Sequence, residues 1–574
     1  MYSFNELRKA SKIYVDGKEI KIAVLGNCST QFFGTAVVGY AKLSGLNVNL
    51  YDTDYNQIDF QLLEKCSEIY NFDPDIILFW LATEKLYEEF LILPIKERER
   101  FAEFYMQKIC NYWKLVENNF CAKIIQFNFT EIDDKVLGQY SCKVESTFVF
   151  QIRKLNYLLQ EEMRKNDNIY PVDLLAIQIQ RGQTLFFDAP LYYNAKMSVA
   201  INTIPFVAKA VVDVLQGMFG KTKKCIILDL DNTLWGGVIG DDGLSNIEIG
   251  QLGKGHVFTN FQKWLKQLKE YGILLAVCSK NNEEIAKEPF EKHGEMVLKL
   301  SDISVFVANW DDKATNVQAI QESLNIGMDS LVFIDDNPFE RNLVRQMIPQ
   351  ITVPELPEDP ALYLGYLQQC NYFDTISYTE DSSKRTIQYQ AEFQRKKLEL
   401  TFETIDDYLK NLEMIGEANK FESVYFSRIA QLTQRSNQFN LRTIRYTESE
   451  IRKIADSERY ITFYYTLKDK FGDHGLVSIV ILEKKSDKEL FIDTWLMSCR
   501  VLKRGMEEFV VNHFMEVVKE KGFRTIFAEY IPTQKNKMVK DIYKTMGFNR
   551  IRENEYCIDV YEYHKKLTYI KENR

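Results

Sequence analysis

Two aspartates stand two residues apart in "LDLDNTLWGG", directly behind the apolar run Cys225–Leu228. Three further apolar runs end the same way. "LLAVCSK" delivers Ser279 and Lys280, "SVFVANW" leads to Lys313 in "NWDDKATN", and "LVFIDD" delivers Asp335 and Asp336. With Asp229, Asp231 and Thr233, these are the groups that phosphoryl transfer through an aspartyl-phosphate requires. One carboxylate attacks phosphorus, a second protonates the leaving oxygen, and Mg²⁺ neutralises charge between them. Mg²⁺ takes carboxylate oxygens and keeps waters, so Asp229, Asp231, Asp335 and Asp336 are its candidate ligands. Ser279 and Lys313 can steady the transferring oxygens. The i, i+2 spacing turns Asp229 and Asp231 to one side as the chain leaves a strand. Gly236 and Gly237 permit a tight turn or close backbone approach.

Such groups need a scaffold that brings four strand ends together. The apolar runs alternate with helical patterns such as "FTNFQKWLKQLKEYG". That alternation predicts a parallel α/β sheet with its binding crevice at the carboxyl ends of the strands. This unit spans residues 219–365. Residues 1–218 show the same alternation, with strands at "KIAVL", "VNLY", "DIILFW" and "AKIIQFNF", and read as a separate α/β domain. Residues 366–415 are polar and helical and form a connector. Residues 416–574 hold strands at "ITFYYTLKD", "LVSIVILEK", "LFIDTWLMS" and "FRTIFAEYI" with a helix at 506–520, an α+β pattern. A chain of 574 residues accommodates three domains of ~150–200 residues each.

Composition narrows the function classes. Hydrophobic content of 46% and charged content of 27% describe a globular protein. A net charge of -9 argues against a nucleic-acid partner. The ten cysteines form no CxxC pair, which fits a reducing, cytoplasmic setting better than a disulfide framework or a zinc site. The amino-terminal stretch has no apolar core of a signal peptide, and no 18-residue apolar run offers a membrane span.

"LDLDNTLWGGVIGDDG", "VCSKNN", "NWDDKATNV" and "FIDDNPFER" together resemble the haloacid dehalogenase (HAD) superfamily of phosphatases, and more closely its FkbH-like branch. The resemblance continues through "QLTQRSNQFNLRTIRY", "LMSCRVLKRGMEE" and "YIPTQKNKMVKDIYKTMGF". It implies a capless, Mg²⁺-dependent phosphatase unit. It also implies a substrate that is a phosphorylated three-carbon acid, such as 1,3-bisphosphoglycerate. The glyceryl unit would be loaded through a cysteine thioester onto the phosphopantetheine arm of an acyl carrier protein, in polyketide or secondary-metabolite biosynthesis.

Residues 416–574 resemble the GNAT acetyltransferase fold, in which a glycine-rich turn cradles the coenzyme A pyrophosphate at a helix N-terminus. The matching run is Arg500-Val501-Leu502-Lys503-Arg504-Gly505, with Lys503 where the first glycine is expected. That argues against coenzyme A and leaves room for a thiol arm bearing a single phosphate, with Arg500, Lys503, Arg504 and Gly505 as its binding residues. Cys499 precedes this turn, where the cations and a helix N-terminus favour a thiolate, and His474 is its candidate partner. Cys278 and Cys370 are rival thiols, while His256, His293, His513 and His564 read as surface or packing residues. "VLGNCSTQFF" resembles the nucleophile block of SGNH hydrolases, with Ser29 in the serine position. All five histidines lie at 256 or later, so no histidine-based triad can form within this domain, which reads as non-catalytic.

Three functions remain open on these residues: a phosphatase/acyltransferase, a phosphatase whose GNAT-like unit binds a partner, and a docking scaffold for a carrier protein. The intact phosphoryl-transfer set argues against the last.

Overall fold

The structure, a computed structural model, describes residues 1–378, 385–399 and 401–573. Residues 379–384 and 400, part of the expected connector, lie outside the described residues. The chain divides into two compact units, Met1–Gly217 and Met218–Arg574.

The amino-terminal unit is a parallel α/β sheet. Strands β1 (Ile20–Gly26), β2 (Val48–Asp52), β3 (Ile76–Trp80), β4 (Lys123–Phe127) and β5 (Ile169–Val172) run in the order β2-β1-β3-β4-β5. Helices on both faces explain why β1 and β3 are buried nearly throughout. β5 is four residues long and has no clear sequence signal. Helix Phe4–Ala10 lies so close to helix Gln31–Leu43 that a Cβ at Gly39 would meet the Leu7 carbonyl at 2.1 Å. Ser29, just past β1, donates its hydroxyl to Gln31 Oε1 at 2.6 Å and its N–H to the Lys196 carbonyl at 2.9 Å. The acceptor of that hydroxyl is an amide oxygen rather than an imidazole or carboxylate.

The second unit contains two sheets. The first has β6 (Cys225–Leu228), β7 (Leu274–Ser279), β8 (Val305–Ala308) and β9 (Leu331–Ile334) in the order β8-β7-β6-β9, all parallel. β6 is central, and Leu228 registers with Val277 on one side and Ile334 on the other. Apolar layers cover both faces, one around Trp235, Phe261 and Phe290, the other around Val317, Ile320 and Phe333. Between β6 and β7 stand only the short helix Ile239–Asp242 and the helix Gly253–Glu270, so no inserted domain covers the strand ends.

The second sheet contains β10 (Ile415–Asn419), β11 (Phe439–Asn440), β12 (Tyr460–Asp469), β13 (Gly472–Lys484), β14 (Glu489–Met497), β15 (Thr525–Glu529), β16 (Asn549–Arg552), β17 (Glu555–Asp559) and β18 (Lys571–Glu572). The order is β16-β17-β15-β14-β13-β12-β10-β18, with β11 on β14. β14 and β15 are parallel, bridged by helix Met506–Glu520, inside a mainly antiparallel sheet. This is the GNAT-like α+β architecture. β14 and β15 pair only over Glu489–Ile492 and then part. The gap is filled by the chain itself: β11 pairs with Leu496 and Met497, and Ile531 donates its N–H to the Leu441 carbonyl at 2.8 Å.

Helix Arg385–Glu399 ties the two sheets of this unit together. Gln390 donates to the Ile303 carbonyl on one side, and Arg395 grips Asp469 with two bonds of 2.7 Å on the other. Asp469 also meets His474 Nε2 at 3.1 Å, and Arg504 pairs with Glu392. Among the described residues no helix is long and apolar enough to cross a membrane.

Burial, reinforced by Arg395, Arg504 and Arg500, pushes the His474 imidazole down to about 4, and its bond to Asp469 only partly opposes this. The folded state therefore keeps His474 neutral where the unfolded chain, near pH 6.5, takes a proton. Its contribution to stability is present above pH 6.5 and lost as pH falls toward 4, about 3 kcal/mol in all. Hydrogen-exchange protection of β13 should drop by about 2 kcal/mol between pH 6.5 and 5, at 1.36 kcal/mol per unit. His474→Asn should remove that part of the slope, and an equal loss in both proteins would exclude His474 as the source.

Candidate active site

The strand register sets the first centre. Asp229 and Asp335 each stand one residue past paired strand ends, on neighbouring parallel strands ~4.8 Å apart. The Asp229 N–H donates to the Ile334 carbonyl at 2.9 Å, which continues the ladder up to this carboxylate residue. Lys313 enters from the first turn of helix Lys313–Leu324. Its ammonium lies 3.0 Å from Asp229 Oδ1 and 2.5 Å from Asp335 Oδ2, and all three side chains are buried. Asp335 also accepts the Asn337 N–H at 2.8 Å.

Carboxylate oxygens of Asp229, Asp335 and Asp336 lie within 4.8 Å of one another. Three carboxylates thus face one ammonium in a buried place. Burial first, then the Asp229 charge, push Asp335 up to about 7 and Asp336 to about 6, with Lys313 opposing. Burial would lower the Lys313 ammonium, but Asp229 and Asp335 outweigh it and hold it above its ordinary value. An oxygen-rich site short of positive charge fits Mg²⁺, which inverts these shifts when it binds.

Asp231 departs from the expected ligand role. Its Oδ1 accepts from the Trp235 indole N–H and the Ile239 N–H, both at 3.0 Å, and its Oδ2 from Asn281 Nδ2 at 3.2 Å. Those three donors hold its side chain outside the group of three carboxylates. Burial foremost raises it, and a carboxyl that keeps its proton more readily suits donation to a leaving oxygen. Trp235 is fully buried beneath it. Gly236 exchanges two backbone bonds with Glu248, and a Cβ there would meet the Glu248 side chain at 2.6 Å; Gly237 has φ +90°. The two glycines let the loop close over Asp231.

Thr233 is buried and accepts the Asp336 N–H at 3.2 Å, so it braces the metal-side turn. Ser279 ends β7 beside this centre, buried. Lys280 instead pairs with Glu340 at 2.7 Å. Two residues that sequence reasoning did not single out position the others. Asn281 holds Asp231, and buried Arg341 donates to the carbonyls of Asp335 at 2.9 Å and Asp336 at 2.6 Å.

Cys499 sits elsewhere. Its carbonyl accepts from Asn325 Nδ2 at 2.8 Å, and its sulfur lies 3.9 Å from the Tyr389 hydroxyl. Asn325 caps the carboxyl end of the helix whose amino end carries Lys313. At 1.5 Å per residue that helix puts ~18 Å between the thiol's neighbourhood and the phosphoryl-transfer centre. His474 is not its partner, since its Nε2 is shared by Asp469 at 3.1 Å and Arg504 at 3.4 Å. Cys278 is buried and its thiol is pushed up to about 12, mainly by burial, which disfavours the thiolate. Cys370 is half-buried at the end of helix Tyr363–Cys370. His513 contacts the Tyr465 hydroxyl at 3.1 Å, a packing role.

The turn after Cys499 does not present the anion cradle expected of it. Lys503 keeps the left-handed φ, +62°, of the glycine it replaces, but its N–H is taken by Glu507 Oε1 at 3.2 Å. Gly505 accepts Thr568 Oγ1 at 2.8 Å through its carbonyl. Arg500 bonds Ser498, Gln388 and the His474 carbonyl, and Arg504 bonds Glu392. The chain's own carboxylate stands where an anion would approach.

Comparison with known proteins adds the following. Residues 21–216 match the family described as FkbH, N-terminal domain. The chain is similar to the N-terminal part of the protein BF1531 from Bacteroides fragilis, a crystal structure containing a phosphatase domain complexed with Mg. Identity is 43%, the match covers 66% of this chain and 100% of that one, and the TM-score is 0.63. The ribosomal-protein-S18-alanine N-acetyltransferase from Escherichia coli is 14% identical over 27% of this chain and 99% of its own, with a TM-score of 0.21. No curated protein matches.

Asp229→Asn should lower Mg²⁺-dependent phosphate release from an aryl phosphate at least ~1,000-fold, the scale on which loss of a covalent nucleophile acts. Its melting temperature should not fall, because one of three crowded carboxylates is removed. Release at the wild-type rate would exclude Asp229 as the nucleophile.

Proposed function

Because this chain belongs to the FkbH-like branch of the HAD superfamily, we propose that it dephosphorylates a phosphorylated three-carbon acid and loads the acyl unit, through a Cys499 thioester, onto the phosphopantetheine arm of an acyl carrier protein. The observation that carries the phosphatase half is the Lys313 ammonium set between Asp229 and Asp335 at uncovered strand ends.

At that centre an Asp229 oxygen attacks phosphorus and the P–O bond to the substrate alcohol breaks. Asp231 gives the departing oxygen its proton, then takes one from the water that opens the aspartyl-phosphate. Lys313 balances charge on Asp229 and the phosphoryl oxygens, and Ser279 donates to them. Mg²⁺, held by Asp229, Asp335 and Asp336, supplies further charge neutralisation when bound.

For acyl transfer, the Cys499 thiolate attacks the carbonyl of an acyl phosphate. The C–S bond forms, the C–O bond to phosphate breaks, and phosphate leaves with the electron pair. The thiol of the arm then displaces Cys499 in a thioester exchange, which keeps each step near energetic balance. The two centres lie ~18 Å apart by helix length, too far for direct transfer. A substrate carried on a flexible arm meets both, which supports a carrier protein as the partner.

The test is incubation with the acyl phosphate and a phosphopantetheinylated carrier protein. The carrier should gain one acyl mass. Cys499→Ala should still release phosphate and load nothing. Normal loading by Cys499→Ala removes the relay. Phosphate release with no loading by the wild type instead leaves a phosphatase whose carboxyl-terminal sheet serves a partner.

A further inference from the structure

Cys499 lies among an unusual set of side chains where the phosphatase sheet meets the GNAT-like sheet, at the amino ends of the phosphatase strands. Lys224 immediately precedes β6, Arg385 opens the helix that ties the sheets, and Arg435 ends helix Phe426–Arg435. Tyr389 contacts the sulfur. Three separate segments thus bring cations to one neighbourhood, in which Lys224 and Arg385 act electrostatically on the Cys499 thiol.

Among the described residues these cations are not matched by acids. Lys224 Nζ donates to the Arg435 carbonyl at 3.1 Å, and Arg385 Nη1 to the Gly272 carbonyl at 3.2 Å. Arg435 Nη2 donates to Thr375 Oγ1 and the Ser377 carbonyl, both at 3.2 Å. Among the described residues none of the three meets a carboxylate. The nearby carboxylate, Asp329, is taken by Lys535 at 2.5 Å. Ser377 Oγ is buried with no partner among the described residues. All three cations are half-buried.

Clustering like charges in a poorly solvated place is unfavourable, and the groups register it. Burial, with neighbouring cations, brings Lys224 down to about 8, Arg385 to about 9 and Arg435 to about 10. A doubly charged, oxygen-rich ligand would relieve all three at once. Two guanidinium forks and an ammonium are the donor set that phosphate takes.

We infer that Lys224, Arg385 and Arg435 form a binding site for a phosphate group beside the Cys499 thiol. The site differs from the turn at Arg500–Gly505, where Glu507 holds the Lys503 N–H and Glu392 pairs with Arg504. It takes its purpose from the Cys499 relay proposed above. The phosphate belongs either to the three-carbon acyl donor or to the phosphopantetheine arm, and the experiment separates these.

The test reads binding without acyl transfer. The full-length protein is alkylated with iodoacetate or with iodoacetamide, and the rate at each cysteine is followed by mass spectrometry. Exposed Cys121 serves as the internal reference. The iodoacetate-to-iodoacetamide rate ratio should be at least tenfold higher at Cys499 than at Cys121. In Lys224→Met/Arg435→Gln it should fall to within twofold of Cys121, and Arg385→Gln is the second variant if that protein does not fold. Slower labelling in 3-phosphoglycerate but not glycerate assigns the phosphate to the donor. Slower labelling in 4′-phosphopantetheine but not pantetheine assigns it to the arm. Equal ratios at the two cysteines, a high ratio that survives the substitutions, protection that does not require phosphate, or a Cys499 inert to both reagents would each overturn the site. A high ratio in a protein that loads no carrier would leave the anion site standing and remove the relay.

Discussion

The centre depends on one arrangement, the Lys313 ammonium between two carboxylates at the ends of adjacent parallel strands. Crowding three acids together, two of them buried, is unfavourable unless cations compensate. Much of the local sequence serves that requirement. β6 and β9 are four apolar residues each, so their ends are level and deliver Asp229 and Asp335 as neighbours. Lys313 sits in the first turn of its helix, with Asp312 as the cap that accepts the Thr315 N–H. Arg341 turns back from its helix to hold the carbonyls of Asp335 and Asp336, which keeps that turn from relaxing away from the cluster. The remaining deficit of positive charge makes the site ready for a divalent cation.

The strand ends were legible in the sequence because each is a short apolar run that turns abruptly polar, and the polar groups are chemically distinctive. Asn281 and Arg341 were not. A neutral amide signals nothing by itself, and an arginine on an amphipathic helix ordinarily faces water. Asp231 was read as a ligand because i, i+2 residues share a side of a strand. Past Leu228, however, the chain leaves strand geometry: Asn232 has φ +54° and Asp231 bridges to Trp235. The alternation that justified the reading stops there. β11, two residues long, and β18, equally short, are too brief for any periodicity to mark them.

The pairing of Cys499 with His474 failed for a different reason. His474 lies in β13 and Cys499 just past β14, but His474 belongs to a buried network with Asp469, Arg395 and Arg504. That network fastens helix Arg385–Glu399 to the carboxyl-terminal sheet. Long-range ion pairs of this kind depend on how helix and sheet pack, which no local pattern encodes. The same packing gathers Lys224, Arg385 and Arg435, which are far apart in sequence and individually unremarkable.

The carboxyl-terminal sheet shows how a binding groove is closed by its own chain. A strand offers an extended ligand the unpaired N–H and C=O groups of its edge. At Leu496 and Met497 both edges of β14 are used, one by β13 and the other by β11. The Asn536 amide then locks β11 in place by donating to the Asn440 and Ile531 carbonyls, both at 2.9 Å. At the turn, Glu507 occupies the Lys503 N–H, and burial pushes that carboxyl up to about 7. An arm lying along β14 would have to displace a strand, and a pyrophosphate at the turn would have to displace a buried acid. On the phosphate site inferred above, a thiol ligand that reaches Cys499 would instead arrive from the side where Lys224, Arg385 and Arg435 stand, between the two sheets.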